Sequence, residues 1–157
     1  MKFATRLSIK LLVRPPQWYR RISAGTVWSV PGDDPVLYLT FDDGPIPGLT
    51  DWILTQLEKY DARATFFCVG ENVEKFPDIY SKILNAGHRT GNHTYHHLNG
   101  FHCGIKRYIQ DTHKAGRLIH SRLFRPPYGR IRPLAARLLS ARYRIILWDI
   151  LSMDYEQ

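Results

Sequence analysis

The chain has 157 residues, 44% hydrophobic and 13% aromatic, with 22 Lys plus Arg against 14 Asp plus Glu for a formal charge of +8. This balance excludes the disordered class and suits one buried core, two cysteines exclude a disulfide scaffold, and no run of about 18 apolar residues exists to form a transmembrane segment. The excess cations are dispersed and lack interleaved stacking aromatics, so they read as solvated charge, and no nucleic-acid partner is expected.

The N-terminus "MKFATRLSIKLLVRPP" opens like a signal peptide, but Arg6 and Lys10 interrupt its apolar stretch and no small-residue cleavage site follows. It gives no convincing export signal and leaves localisation open. Residues 3 to 13 are compatible with an amphipathic surface contact. Residues 1–35 form a lead-in rich in Pro and Gly, with a short strand expected near "TVWSV". The organised domain is expected over residues 36–157.

Within that domain "VLYLTF" (36 to 41) is a β-rich run. "LTDWILTQLEKY" (49 to 60) places Trp52, Ile53 and Leu57 at helical spacing, and "ATFFCVG" (64 to 70) is a buried strand with Cys68 as an inert thiol. "ENVEKFPDIYSKILNAG" is helical with Pro77 as a kink or break, and "HRTGNHT" is a short strand running into a loop. "GIKRYIQDTHKAGRLIH" is a helix, "LFRPPYG" a strand ending in a Pro-rich turn, "RPLAARLLSA" a helix and "YRIILWDI" a strand. Strands alternating with helices specify an α/β fold with a parallel sheet, open or closed into a barrel. Ligand sites then gather at the carboxyl ends of the strands, where "DDGP", "GNHTYHH", "RPPYG" and "WDILSMD" fall.

Asp42 and Asp43 followed by Gly44 and Pro45 are a turn signal. Two further features give the carboxylates chemistry. His93 and His97 are spaced i, i+4, which on a helical turn would present both imidazoles to one side. An aspartate at one strand end and a histidine pair at another form a two-histidine, one-carboxylate set with coordination positions left for water and substrate. One aspartate would ligate and its neighbour would be free to take a proton from the attacking water. His96 would point away from the pair into a hydrogen-bonding role, and His88 reads as structural.

"TFDDGP", "HTYHH" and "FRPPYGR", in that order over residues 36 to 155, resemble the motifs of the polysaccharide deacetylases of the NodB-homology type, carbohydrate esterase family 4. The resemblance implies a distorted (β/α) barrel, incomplete at the C-terminus, that removes N-acetyl groups from an N-acetylated glycan. It implies Asp43, His93 and His97 as metal ligands and Asp42 as general base. Arg125 would orient that base, and the backbone N–H of Tyr128 would donate to the oxyanion. The metal implied is a divalent ion, zinc before cobalt, manganese or nickel.

"LWDILSMDY" resembles the family's fourth motif more loosely, placing Asp154 as a catalytic buttress to the arginine and Tyr155 as a stacking face, with Leu151 where a further Asp is common. The family's fifth motif, a strand ending in the histidine that protonates the departing amine, has no counterpart before Gln157, and His102, His113 and His120 do not match it. The expectation is a truncated deacetylase with impaired turnover. The last strand, "YRIILWDI", is then expected to be an exposed apolar edge. The alternative is a non-catalytic, metal-containing carbohydrate-binding domain. Oligomeric state is left open.

Overall fold

A computed structural model describes residues 15, 17, 20, 25–33 and 35–152, and the structural statements that follow concern these. The expected amphipathic N-terminal stretch, Asp154 and Tyr155 lie outside them. The described strands are β1 (Thr26–Val27), β2 (Leu39–Asp42), β3 (Ala64–Cys68), β4 (Arg89–Asn92), β5 (Leu123–Phe124) and β6 (Arg144–Ile146). The helices are α1 (Leu49–Lys59), α2 (Gly70–Lys75), α3 (Pro77–Asn85), α4 (Ile105–Ala115) and α5 (Pro133–Leu139), with a 3-10 turn at Pro127–Gly129.

Local chemistry sets these boundaries. Pro77 cannot continue α2, because it lacks an amide hydrogen, but it fits the first turn of a helix, so the single expected helix divides into α2 and α3 at that residue. Asp78 sits in the first turn of α3 and Lys82 in its last, each complementing the helix dipole. Helix α1 buries Leu57 toward the sheet, whereas Trp52, placed by spacing on the same stripe, is 61% exposed.

All strand pairings are parallel and the sheet runs β1-β6-β5-β4-β3-β2, a curled half-barrel with helical crossovers, as an incomplete (β/α) barrel requires. Two apolar clusters hold it. One gathers Phe66, Cys68, Val73, Ile83, Tyr95 and Ile119 between β3 and its flanking helices. The other joins Tyr108 of α4, Phe124 of β5, Ala135 and Leu139 of α5, and Ile145 of β6. A fully buried Phe or Ile contributes about 2–3 kcal/mol each relative to exposure, so these clusters outweigh any single polar contact. Cys68 is wholly buried, and that burial, with the Asp42 charge nearby, pushes its thiol up to about 12.

The expected exposed edge at "YRIILWDI" does not occur. Strand β6 is flanked on one side by β5 and on the other by β1, whose Thr26 and Val27 pair with Ile145 and Ile146. Ile145 is buried, and the described edges are β1 and β2. The lead-in is tied down further by Arg20, which pairs with the Asp149 carboxylate just past β6.

Candidate active site

The register of the sheet assembles the site. Asp42 on β2 is level with Phe67 on β3, Phe67 with Gly91 on β4, and Asn92 on β4 with Phe124 on β5. One residue beyond this row lie Asp43, His93 and Arg125, at the carboxyl ends of three parallel strands.

Consecutive residues on an extended strand face opposite sides of the sheet. Asp42 still belongs to β2, whereas Asp43 has left it with φ of 68°, in the left-handed region. The Asn72 side chain on α2 donates to the Asp43 carbonyl at 2.8 Å, and Val69 N–H donates to the Gly44 carbonyl at 2.9 Å, which fixes the turn. The neighbouring carboxylates therefore take different partners.

The Asp42 Oδ1 accepts from Arg125 Nη1 at 2.7 Å. Arg125 is 3% exposed and also donates from Nη1 to Thr40 Oγ1 (2.9 Å) and from Nη2 to the Leu147 carbonyl (3.1 Å). Its guanidinium lies 4.1 Å from the centroid of the Phe67 ring, within cation–π range. One side chain thus joins β2 to the segment after β6 across the interior of the curl.

The Asp43 carboxylate lies 3.0 Å from His97 Nε2 and 3.4 Å from His93 Nε2. The His93 Nδ1 is 2.7 Å from the Arg125 carbonyl, which can only accept, so Nδ1 carries the proton and Nε2 is left with a lone pair toward Asp43. One oxygen of Asp43 and one nitrogen of each histidine lie within 4.8 Å of one another, the only such group among the described residues. Two imidazole nitrogens, one with its tautomer set from behind, and one carboxylate oxygen fit a divalent cation. Burial raises the affinity of Asp43 for its proton, but the neighbouring imidazoles of His93 and His97 outweigh that and hold the carboxyl well below the usual carboxylate range.

The two histidines do not converge on a helical turn. Residues 93 to 98 form a non-helical loop, with Thr94 at φ 62° and His97 at φ 53°. The loop still brings the imidazoles together at 5.1 Å between ring centroids. His96 turns away, as expected, and bonds through Nδ1 to Asp111 on α4. Asp111, which sequence alone did not single out, also accepts from the amides of Tyr95 and His96. Tyr128 has a left-handed backbone, φ 60°, and its ring packs 4.7 Å from that of His97. His88 is buried beside Phe66 and away from these residues in the fold.

The sequence profile of the family described as polysaccharide deacetylase matches residues 29–144. A peptidoglycan-N-acetylglucosamine deacetylase of Bacillus cereus is 35% identical over 136 residues, covering 82% of this chain and 50% of that protein. A chitooligosaccharide deacetylase of Rhizobium leguminosarum bv. trifolii is 41% identical over 86 residues, covering 53% of this chain and 40% of that protein. The crystal structure of the Bc1960 peptidoglycan N-acetylglucosamine deacetylase superposes with a TM-score of 0.72 at 34% identity, covering 84% of this chain and 64% of that one. The chain spans about half the length of the curated relatives it matches.

Proposed function

This chain belongs to the polysaccharide deacetylase family, and we infer from that membership and its site that it carries the metal-dependent centre of a hydrolase that removes N-acetyl groups from a glycan. The observation that carries the reading is the division between adjacent carboxylates: Asp42 faces a buried arginine, and Asp43 faces two imidazoles. A base and a ligand need those different environments.

Asp43, His93 and His97 would hold the ion. A divalent ion in that position supplies a Lewis acid that polarises the acetyl carbonyl and acidifies water. Asp42 takes the proton from the attacking water, and Arg125 holds its carboxylate in position. The Tyr128 backbone N–H donates to the oxyanion of the tetrahedral intermediate, a contribution worth about a hundredfold to a thousandfold in kcat. The donor set suits zinc first, with cobalt, manganese and nickel as alternatives of similar ligand preference. The substrate we propose is a β-linked glycan bearing N-acetylglucosamine, in peptidoglycan before chitin-like chains, because the relatives named for peptidoglycan are matched over more of this chain.

The test is acetate release from N-acetylglucosamine oligomers and from purified peptidoglycan in the presence of added zinc. The expected result is release that stops with a chelator and with Asp42→Asn. Zinc binding without any acetate release from either substrate would overturn the hydrolytic reading.

A further inference from the structure

We propose that Asp111 is the positioning residue of this centre: it stays off the ion but fixes the backbone between His93 and His97, and so sets the affinity for a divalent cation. The inference rests on the assignment of Asp43, His93 and His97 as ligands. Its starting point is that the two histidines sit on a loop whose Thr94 and His97 adopt φ of 62° and 53°, a conformation disfavoured for residues with a Cβ. Such a loop is held from outside or it relaxes.

Hydrogen-bond accounting shows what holds it. The His93 amide donates to the Cys68 carbonyl at 2.9 Å, and the Thr94 amide to Asn92 Oδ1 at 2.9 Å. The next two amides, Tyr95 and His96, both donate to Asp111 Oδ2, at 2.8 and 3.0 Å. Asp111 Oδ1 takes the His96 Nδ1. On the opposite side, the Thr94 and Tyr95 carbonyls accept from Gly70 and Glu71 in the first turn of α2, at 2.9 and 3.0 Å. The segment between the ligands is thus clamped from both sides, the Thr94 and Tyr95 carbonyls to α2 and the Tyr95 and His96 amides to α4.

Asp111 lies on the inner face of α4 with Tyr108, Thr112 and Ala115 and is 7% exposed. A carboxylate buried there is costly unless it is satisfied, and both its oxygens are occupied by the loop. Substitution by an apolar residue would leave the buried Tyr95 amide and the part-buried His96 amide unpaired beside His97. The loop would then turn to recover partners, and His97 Nε2 would leave the Asp43 side.

The experiment measures zinc affinity of the metal-stripped chain by competition with a chromophoric chelator, with urea unfolding of the same apo samples. We expect Asp111→Ala to raise Kd about 10- to 100-fold, the range for partners that orient a ligand from behind. Asp111→Asn keeps one carbonyl oxygen for the amides and should raise it less, and His96→Ala, which leaves both amide bonds, should change it by less than about threefold. A merely structural Asp111 would lower apo stability and leave the Kd of the folded chain within twofold of the parent, which overturns the proposal. If Asp111→Ala does not fold, Asp111→Asn decides, an unchanged Kd overturning it. Asp43→Ala is the control for the underlying assignment: zinc affinity insensitive to it refutes the ligand set itself, an outcome separate from failure at Asp111.

Discussion

Arg125 and Asp42 are joined across the inside of the half-barrel, from the turn after β5 to the end of β2, by a 2.7 Å hydrogen bond between Nη1 and Oδ1. Three strand spacings of about 4.8 Å separate β2 from β5 along a flat sheet, so this contact exists only because the sheet curls. The same guanidinium donates to the Leu147 carbonyl. It therefore orients the proposed base and ties β2 to the end of β6 at the same time.

Arg125→Met should be costly on both counts. Three main-chain or side-chain acceptors and a carboxylate lose their donor, and the loss is expected to be about 3 kcal/mol, below the upper range for buried pairs because Asp42 retains some solvent contact. Urea unfolding gives this figure, and deacetylation by the same variant should fall about a hundredfold. Arg125→Lys keeps the charge but presents a single point donor that cannot reach Asp42 and Leu147 together, so it should recover only part of either loss. The double variant Asp42→Asn with Arg125→Met should lose less activity than the sum of the singles, since the second change removes a partner already absent.

Asp43 gives the simplest metal test. Its carboxyl stays ionised well below neutrality, because the neighbouring imidazoles of His93 and His97 outweigh burial, so it is a charged donor under all ordinary conditions. Zinc at a hundredfold excess over Kd should stabilise the folded chain by about 2.7 kcal/mol, seen as a rise in Tm that a chelator reverses. In Asp43→Asn the rise should shrink to near zero while the apo Tm changes little. An undiminished rise would place zinc elsewhere.

Much of this was legible in sequence for a physical reason. Alternating strand and helix periodicity reports burial, and turn chemistry after "VLYLTF" and "LFRPPYG" reports where strands stop, so the carboxyl-end motifs fell together without any knowledge of contacts. Strand β1 escaped as a neighbour of β6 because two residues carry no periodicity, and its pairing joins positions 119 apart, Thr26 to Ile145 and Val27 to Ile146. The i, i+4 spacing of His93 and His97 suggested a helical turn, but tertiary hydrogen bonds from α2 and Asp111 impose another backbone path to the same convergence. In "IQDTHKA" Asp111 looks like any acidic residue on a helix. Only the packed position of α4 shows that it faces inward.

Gly91 is a further point at which packing and chemistry meet. A Cβ at this position would lie 2.4 Å from Cδ1 and 2.5 Å from Cε1 of Phe67, the ring on which the Arg125 guanidinium rests. Gly91→Ala must push that ring, at a cost of about 1–3 kcal/mol. Activity should fall with stability because Arg125 is displaced from Asp42. Adding Phe67→Leu should return most of the stability by making room, yet leave activity low, since no aromatic face then supports the guanidinium. Recovery of both together would show that Phe67 is packing alone.

Acid sensitivity should come in part from two histidines outside the site. His88 and His113 each bury an Nδ1 without a hydrogen-bond partner. Burial is the main cause that holds both imidazoles below their ordinary value of 6.5, with Arg63 adding to it at His88 and Arg142 at His113. In the unfolded chain both regain that ordinary value. As pH falls through it, the unfolded state takes up protons that the folded state still refuses, so the equilibrium shifts toward unfolding. Their contribution is thus complete above about pH 6.5 and is lost in the window from there down to the lower folded values. Urea unfolding of the metal-stripped chain at pH 7.5, 6.5 and 5.5 should show stability declining chiefly between the lower two values. The double variant His88→Asn with His113→Asn should show a shallower decline while starting from a different absolute stability. An identical slope in the two proteins would assign the acid sensitivity to other groups, and the metal-stripped condition keeps release of an ion from the proposed Asp43 centre out of the comparison.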